Sequence, residues 1–186
     1  EAFLYVTAQP DREIYSDTVG PACPNVDIRI ADNGEVLFKS PGMFVGYFRR
    51  PELSRATADG WFDTGDLARM DDDSYIRITG RAKDIIIRGG ENIPVVEIEG
   101  LLFRHPAVQA VAIVGMPDVR LGERACAFVV PKPGQKLEFD EMVHFLVGQK
   151  VAKQYLPERL ECVDELPMTP SGKVQKFKLR ERAKTF

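Results

Sequence analysis

The chain has 186 residues, 44% of them hydrophobic and 28% charged, with a formal net charge of −3. That is an ordinary globular composition, long enough for one large domain or two small ones, and its slight acidity speaks against a general nucleic-acid binder. No apolar run approaches the ~18 residues of a membrane span. The opening EAFLYVTAQPDREIY lacks the basic start and apolar core of a signal peptide. Cys23, Cys126 and Cys162 are too scattered for metal spacing or a disulfide framework, so they read as reduced thiols of a cytoplasmic protein.

Residues 1–79 are rich in short strand-like runs broken by turns. VDIRIAD (26–32) alternates apolar and polar residues, meets Asn33-Gly34 and continues as EVLFKS, which predicts a hairpin because Asn-Gly tolerates positive φ. PELSRAT (51–57) predicts a helix, and SYIRITG (74–80) alternates again. The pattern changes in GRAKD, near 80–84, without a long linker. We therefore expect a β-rich unit over 1–82 and a small α+β domain over 83–186.

In the second half, DIIIRGGENI reads as a hairpin-like loop. Pro94 fits a first helical position, followed by Val95, Ile98, Leu101 and Leu102 on one helical face. VQAVAIVGM and RACAFVVPK read as apolar strands. Val143, Leu146, Val147, Val151 and Tyr155 fall at helical spacing behind an Asp140 N-cap. ERLECVDEL suggests another strand and KFKLRERAKTF a short basic terminal helix.

Three motifs carry chemistry. In GWFDTGD (60–66), Asp63 and Asp66 flank a Thr-Gly turn, and a carboxylate on a tight loop can accept two hydroxyl hydrogen bonds from a sugar. From the spacing alone an ordinary aspartate turn is the commoner reading. In GRAKDIIIRGGENIPVVEIE (80–99), Arg81 offers a rigid donor fork, while Gly89 and Gly90 let backbone approach a ligand closely. A plain hairpin and amphipathic helix would look the same. In TPSGKVQK (169–176), Lys173 follows a glycine, but this is no phosphate-cradling P-loop, because position 167 is Pro and position 174 is Val. Pro170 and Gly172 instead extend the lysine outward; the competing reading is a solvated lysine. His105 and His144 read as surface or helix-end residues, and Cys126 as core. Lys173, Lys176, Lys178, Arg180, Arg182 and Lys184 read as a mostly solvated face, some of which could attract phosphates.

In this order, from about Pro41 to the end, the motifs resemble the AMP-forming adenylating superfamily of acyl- and aryl-CoA ligases, nonribosomal peptide adenylation domains and firefly-type luciferases. The resemblance implies that 1–82 ends a large N-terminal AMP-binding domain and 83–186 forms a compact lid. It implies use of ATP, Mg2+ and coenzyme A to convert a carboxylic acid to an acyl-AMP and then a thioester. Asp66 would bind the ribose hydroxyls of ATP, Arg81 would add a second contact to the ribose or phosphate, and Lys83 would be a hinge. Lys173 would bridge the acid carboxylate and the α-phosphate, and Gly89 and Gly90 would line the pantetheine tunnel.

Glu1-Ala2 resembles the end of the YGxTE motif, whose glutamate helps hold Mg2+. The phosphate loop and most of the acid pocket are missing, so the chain by itself is expected to be inactive and to need a missing N-terminal domain. Its partners would be the acid, ATP, coenzyme A and, as an oligomer, a second copy. Its look is closest to ligases for medium-chain or alicyclic acids such as cyclohexanecarboxylate. An adenylation domain loading a carrier protein is the alternative, disfavoured because no carrier domain follows; a non-catalytic lid module is a further one. Ser74 stands where relatives commonly carry Gly and should alter only a turn.

Overall fold

A computed structural model describes residues 6–10, 14–44, 46, 48–49 and 59–186. The chain divides into two compact units, Glu1–Lys83 and Asp84–Phe186. The helix expected over 51–57 lies outside the described residues.

Among the described residues the first unit is an antiparallel sheet in the order β1 (Asp27–Ile30), β2 (Glu35–Lys39), β3 (Phe62–Met70), β4 (Ile76–Arg81). The expected β1–β2 hairpin forms, but only Gly34 of the Asn-Gly pair is left-handed, at φ +87°. The turn runs from Ala31 to Gly34, whose N–H donates to Ala31 O at 2.8 Å. Asn33 caps it through its side chain, accepting from Glu35 N–H at 3.1 Å. Between β3 and β4, Asp71 holds the connection by accepting from Tyr75 N–H at 2.8 Å. Ser74 sits there at φ +65°, a conformation that favours glycine.

The second unit is a mixed sheet with helices on both faces, α+β as the mixture of strand and helix patterns in its sequence predicts. Its elements are β5 (Ile86–Arg88), β6 (Glu91–Ile93), α1 (Val95–Leu102), β7 (Val108–Asp118), β8 (Gly122–Pro131), α2 (Phe139–Gly148), β9 (Arg159–Cys162) and α3 (Lys176–Ala183). The order is β6-β5-β8-β7, and β9 runs parallel to β8. Because β7 covers one edge of β8 along its length, β5 at Gly122 and β9 at Cys126–Val129 share the other.

The apolar runs of β7 and β8 exist because both faces are covered. Ile113, Ala125, Ala127 and Val129 bury themselves with Ile98 and Leu102 of α1 and Met142 and Leu146 of α2. Their sequence neighbours Ala112, Val114, Cys126 and Phe128 point the other way, toward Leu179 and Ala183 of α3. Burial accordingly pushes the Cys126 thiol up to about 12.

Three expectations need correction. Helix α2 stops at Gly148: Lys150 turns left-handed at φ +64° and Val151 N–H reaches back to Leu146 O. Val151 and Tyr155 therefore join the core from the following segment, and Val147 is exposed. The N-cap position is Glu138, with Asp140 inside the first turn. His105 is not a surface residue but 6% exposed, with Nδ1 accepting from Ala107 N–H at 3.2 Å and its ring edge-on to Phe145. His144 is exposed, as expected.

Candidate functional site

The acidic motif is built into a strand rather than a loop between elements. Glu35 pairs with Leu67 and Leu37 with Asp63, so Thr64, Gly65 and Asp66 of β3 stand opposite Val36 alone on β2. Such a bulge re-aims the side chains it carries. Gly65 at φ +70° makes the bend. Asp63 Oδ1 accepts Gly65 N–H at 2.7 Å, and the Thr64 hydroxyl accepts Asp66 N–H at 3.0 Å while donating to Val36 O at 2.9 Å. Asp63 is therefore occupied with its own backbone.

Asp66 is the carboxylate turned to a partner. It lies in register with Arg81 across β3–β4, and Arg81 Nε donates to Asp66 Oδ1 at 3.0 Å. The two side chains are 36% and 51% exposed, so an oxygen of Asp66 and the far nitrogens of Arg81 remain open to a ligand.

Lys83 lies in a single 3-10 turn, Ala82–Asp84, which contains no buried residue. Gly89 and Gly90 form a two-residue turn between Arg88 and Glu91, with φ of +59° and +89°. Two consecutive left-handed residues make the tight turn that matches strand twist, and glycine adopts it at least cost. Gly89 N–H donates to Leu121 O at 2.8 Å, and nothing lies within 4 Å of where a Cβ on Gly90 would sit. Beneath the turn, Arg88 grips Glu158 at the head of β9 through contacts of 2.9 and 3.2 Å, which hold its guanidinium above the ordinary arginine range.

Lys173 stands on a small closed loop. Met168 bridges Val174, Thr169 N–H donates to Lys173 O at 2.8 Å, and Lys173 N–H returns to the Thr169 hydroxyl at 3.0 Å. Gly172 closes it at φ +79°. The lysine backbone is thus fixed on both sides, whereas its side chain is exposed and has no ion-pair partner among the described residues. Thr169 is the loop residue that sequence reasoning missed; its place at the start of TPSGK is the signal that was available.

The basic run behind this loop is not a uniformly solvated face. Lys176 pairs with Glu99 of α1 at 2.7 Å, Arg180 with Asp84, and Arg182 with Glu161 at 3.6 Å. Glu99 Oε1 also accepts Ile113 N–H at 2.6 Å. Lys173, Lys178, Arg182 and Lys184 remain exposed, so four of the six lie in solvent as expected, while Lys176 and Arg180 are held in partly buried pairs.

The arrangement thus brings Asp66 and Arg81 together in the first unit. In the second, it sets the glycine turn and the lysine loop on separate hairpins. Glu1, expected at a metal site, lies outside the described residues. Among those described, no group of three or more His, Cys, Asp or Glu could hold a metal ion. Nor is any helix among them long and apolar enough to cross a membrane.

Residues 97–173 match the family described as AMP-binding enzyme C-terminal domain. Over 180 residues the chain is 44% identical to the medium-chain fatty-acid–CoA ligase of Escherichia coli K12, covering 90% of this chain and 32% of that protein. The crystal structure of ATP-bound MatB from Rhodopseudomonas palustris superposes with a TM-score of 0.83 at 38% identity, over 90% of this chain and 36% of that one. An anthranilate CoA ligase in complex with anthranoyl-AMP gives 0.83 at 31% identity, over 95% of this chain and 37% of its own. The chain spans about a third of the length of the curated relatives it matches. Fold, motif order and these likenesses agree: residues 97–173 belong to the AMP-binding enzyme C-terminal domain family, and the chain as a whole is similar to the C-terminal portion of acyl-CoA synthetases.

Proposed function

We propose that the chain is the end of the large domain, 1–82, and the mobile lid, 83–186, of an ATP-dependent acid–CoA ligase. Its acid is medium-chain or alicyclic, and it works in the cytoplasm, where three thiols without a disulfide fit a reducing compartment. The observation that carries the reading is Lys173: a backbone locked by Thr169 presenting an exposed ammonium with no ion-pair partner among the described residues.

In the first half-reaction a carboxylate oxygen attacks the α-phosphorus of ATP, the bond to the β-phosphate oxygen breaks, and pyrophosphate leaves. Two anions must meet. An ammonium about 4 Å from each is worth roughly 4 kcal/mol per contact at an effective dielectric near 20, before desolvation and ordering reduce it. Asp66 accepts the ribose hydroxyls, and Arg81 both orients Asp66 and offers its remaining donors to ribose or phosphate. In the second half-reaction the thiol sulfur of coenzyme A attacks the acyl carbon. AMP leaves, and the thiol proton goes to solvent. The Gly89–Gly90 turn lines the thiol's approach, because a turn without side chains leaves room for the pantetheine arm. Rotation at Lys83 exchanges the two hairpins between half-reactions. Mg2+ accompanies ATP as substrate, and among the described residues no group of three or more His, Cys, Asp or Glu could hold it.

The test separates the half-reactions in the full-length enzyme. Lys173→Ala should slow acyl-AMP formation by on the order of 10²–10³ and spare thioester formation from supplied acyl-AMP. Gly90→Leu should do the reverse. Gly90→Asn, which tolerates positive φ, separates backbone strain from bulk. Equal loss of both steps in each variant would refute a two-state lid. The 186-residue chain by itself should show no acid-dependent ATP–pyrophosphate exchange.

A further inference from the structure

Asp84 is the residue after Lys83 and the first of the second unit. Neither it nor Ile85 is buried; the first anchored residue is Ile86, 1% exposed. Asp84 closes the 3-10 turn Ala82–Asp84 and Ile85 belongs to no element, and a contact that ties this stretch to the rest of the second unit comes from Arg180. That arginine comes from α3, 96 residues away in sequence, and its Nη2 pairs with Asp84 Oδ1. The side chains are 29% and 20% exposed, a partly desolvated pair rather than a surface contact.

Helix α3 does not depend on this pair. Leu179 and Ala183 are buried, 4% and 0% exposed, and Lys176 is held by Glu99. The pair therefore does little to secure α3 and much to secure Asp84. The same helix begins three residues after Lys173, and Gln175 N–H ties its start to Pro167 O, on the other side of the lysine loop, at 2.7 Å.

We propose that Arg180 is a positioning residue that sets where the joint ends: by clamping Asp84 to α3 it confines turning to Lys83 and the residues before it, so that Lys173 travels with the lid as one body. This rests on the lid reading above. Without the clamp the joint lengthens toward Ile86, and Lys173 arrives with a wider spread of positions.

Two measurements test it. In the 186-residue chain, amide exchange at Asp84 and Ile85 should quicken about three- to tenfold in Arg180→Gln, with Ile86 and the unfolding midpoint unchanged. In the full-length enzyme, Arg180→Gln should lower kcat for acyl-AMP formation about tenfold with KM for the acid unchanged. Arg180→Lys should restore most of it. Adding Asp84→Asn to Arg180→Gln should cost nothing further, since one contact is lost once. Unchanged exchange at Asp84 and Ile85, additive losses in the double variant, or faster exchange with unaltered kcat would each overturn the proposal. If Lys173→Ala kept full activity, the lid reading would fall instead, and the exchange result would still decide whether the clamp exists.

Discussion

The two sheets solve the problem of displaying a functional group in opposite ways. In the first unit, Asp66 is displayed by deforming a strand: three residues of β3 face one of β2, and the bulge is held by Thr64 and Asp63. The core behind it is small, with Val36, Ala68 and Ile76 buried against Ile28 and Ile30. An apolar cleft of about 330 Å3 bordered by Val19, Phe38 and Ile78 opens beside it and reaches Asp66. In the second unit, β7 and β8 pair from Val108 to Pro131 with one shift near their ends, and both faces are buried. Its candidate groups sit outside the ladder, on the Gly89–Gly90 turn and the Lys173 loop. A two-sided core keeps its shape whatever its hairpin tips do. That suits the rigid-body movement proposed above for the second unit, whereas a bulged strand holds a fixed carboxylate.

The comparison can be broken at its core first. Phe128 is fully buried between β8 and α3, so Phe128→Ala should cost about 3–5 kcal/mol. Ile76→Ala, in the smaller core, should fall near the low end of its class, about 2 kcal/mol. Urea unfolding followed separately in each unit would show it, and the reverse order would sink the contrast.

A smaller effect should come from the turn joining β7 to β8. The backbone N–H of Leu121 holds the Asp118 carboxyl below the usual carboxylate range, assisted by Arg120 N–H and Arg124 and opposed by burial. A lowered folded-state pKa gives stability that is fully present above the unfolded value, about 3.9, and is lost as pH falls through the folded one. Asp118→Asn should therefore be less stable than the parent at pH 7, with the difference shrinking below about pH 4. A difference independent of pH would contradict this.

The smallest effect should be a gain. Ser74→Gly removes the strain of φ +65°, about 1–2 kcal/mol, and loses part of it to a more flexible unfolded chain. A net stabilisation of about 0.5–1 kcal/mol in the first unit, read as a raised urea midpoint, would confirm that the serine costs only a turn. A loss would show that its side chain holds something.

What the sequence determined by itself is whatever a dozen neighbouring residues encode. The apolar runs at 108–131, the double-glycine turn, helix α1 beginning just after Pro94 and the order of the three motifs were all legible, because periodicity and φ tolerance act locally. What only the tertiary structure decided is who meets whom across long separations. His105 read as a surface or helix-end residue; it does follow the end of α1, but it is core because Phe145 of α2 closes over it. The helical spacing through Tyr155 gave no warning that α2 would end at Gly148, since Val151 and Tyr155 reach the same core from another segment. The basic terminal run read as a mostly solvated face, and only the fold shows that Lys176 and Arg180 are its exceptions, held by Glu99 and Asp84. Asp66 meets Arg81 only through the β3–β4 register, which shifts between Leu67 and Ala68, and Asp84 meets Arg180 only because α3 returns to cover the sheet. Charge pairing has no period along a chain, so the folded sheet order alone can assign it.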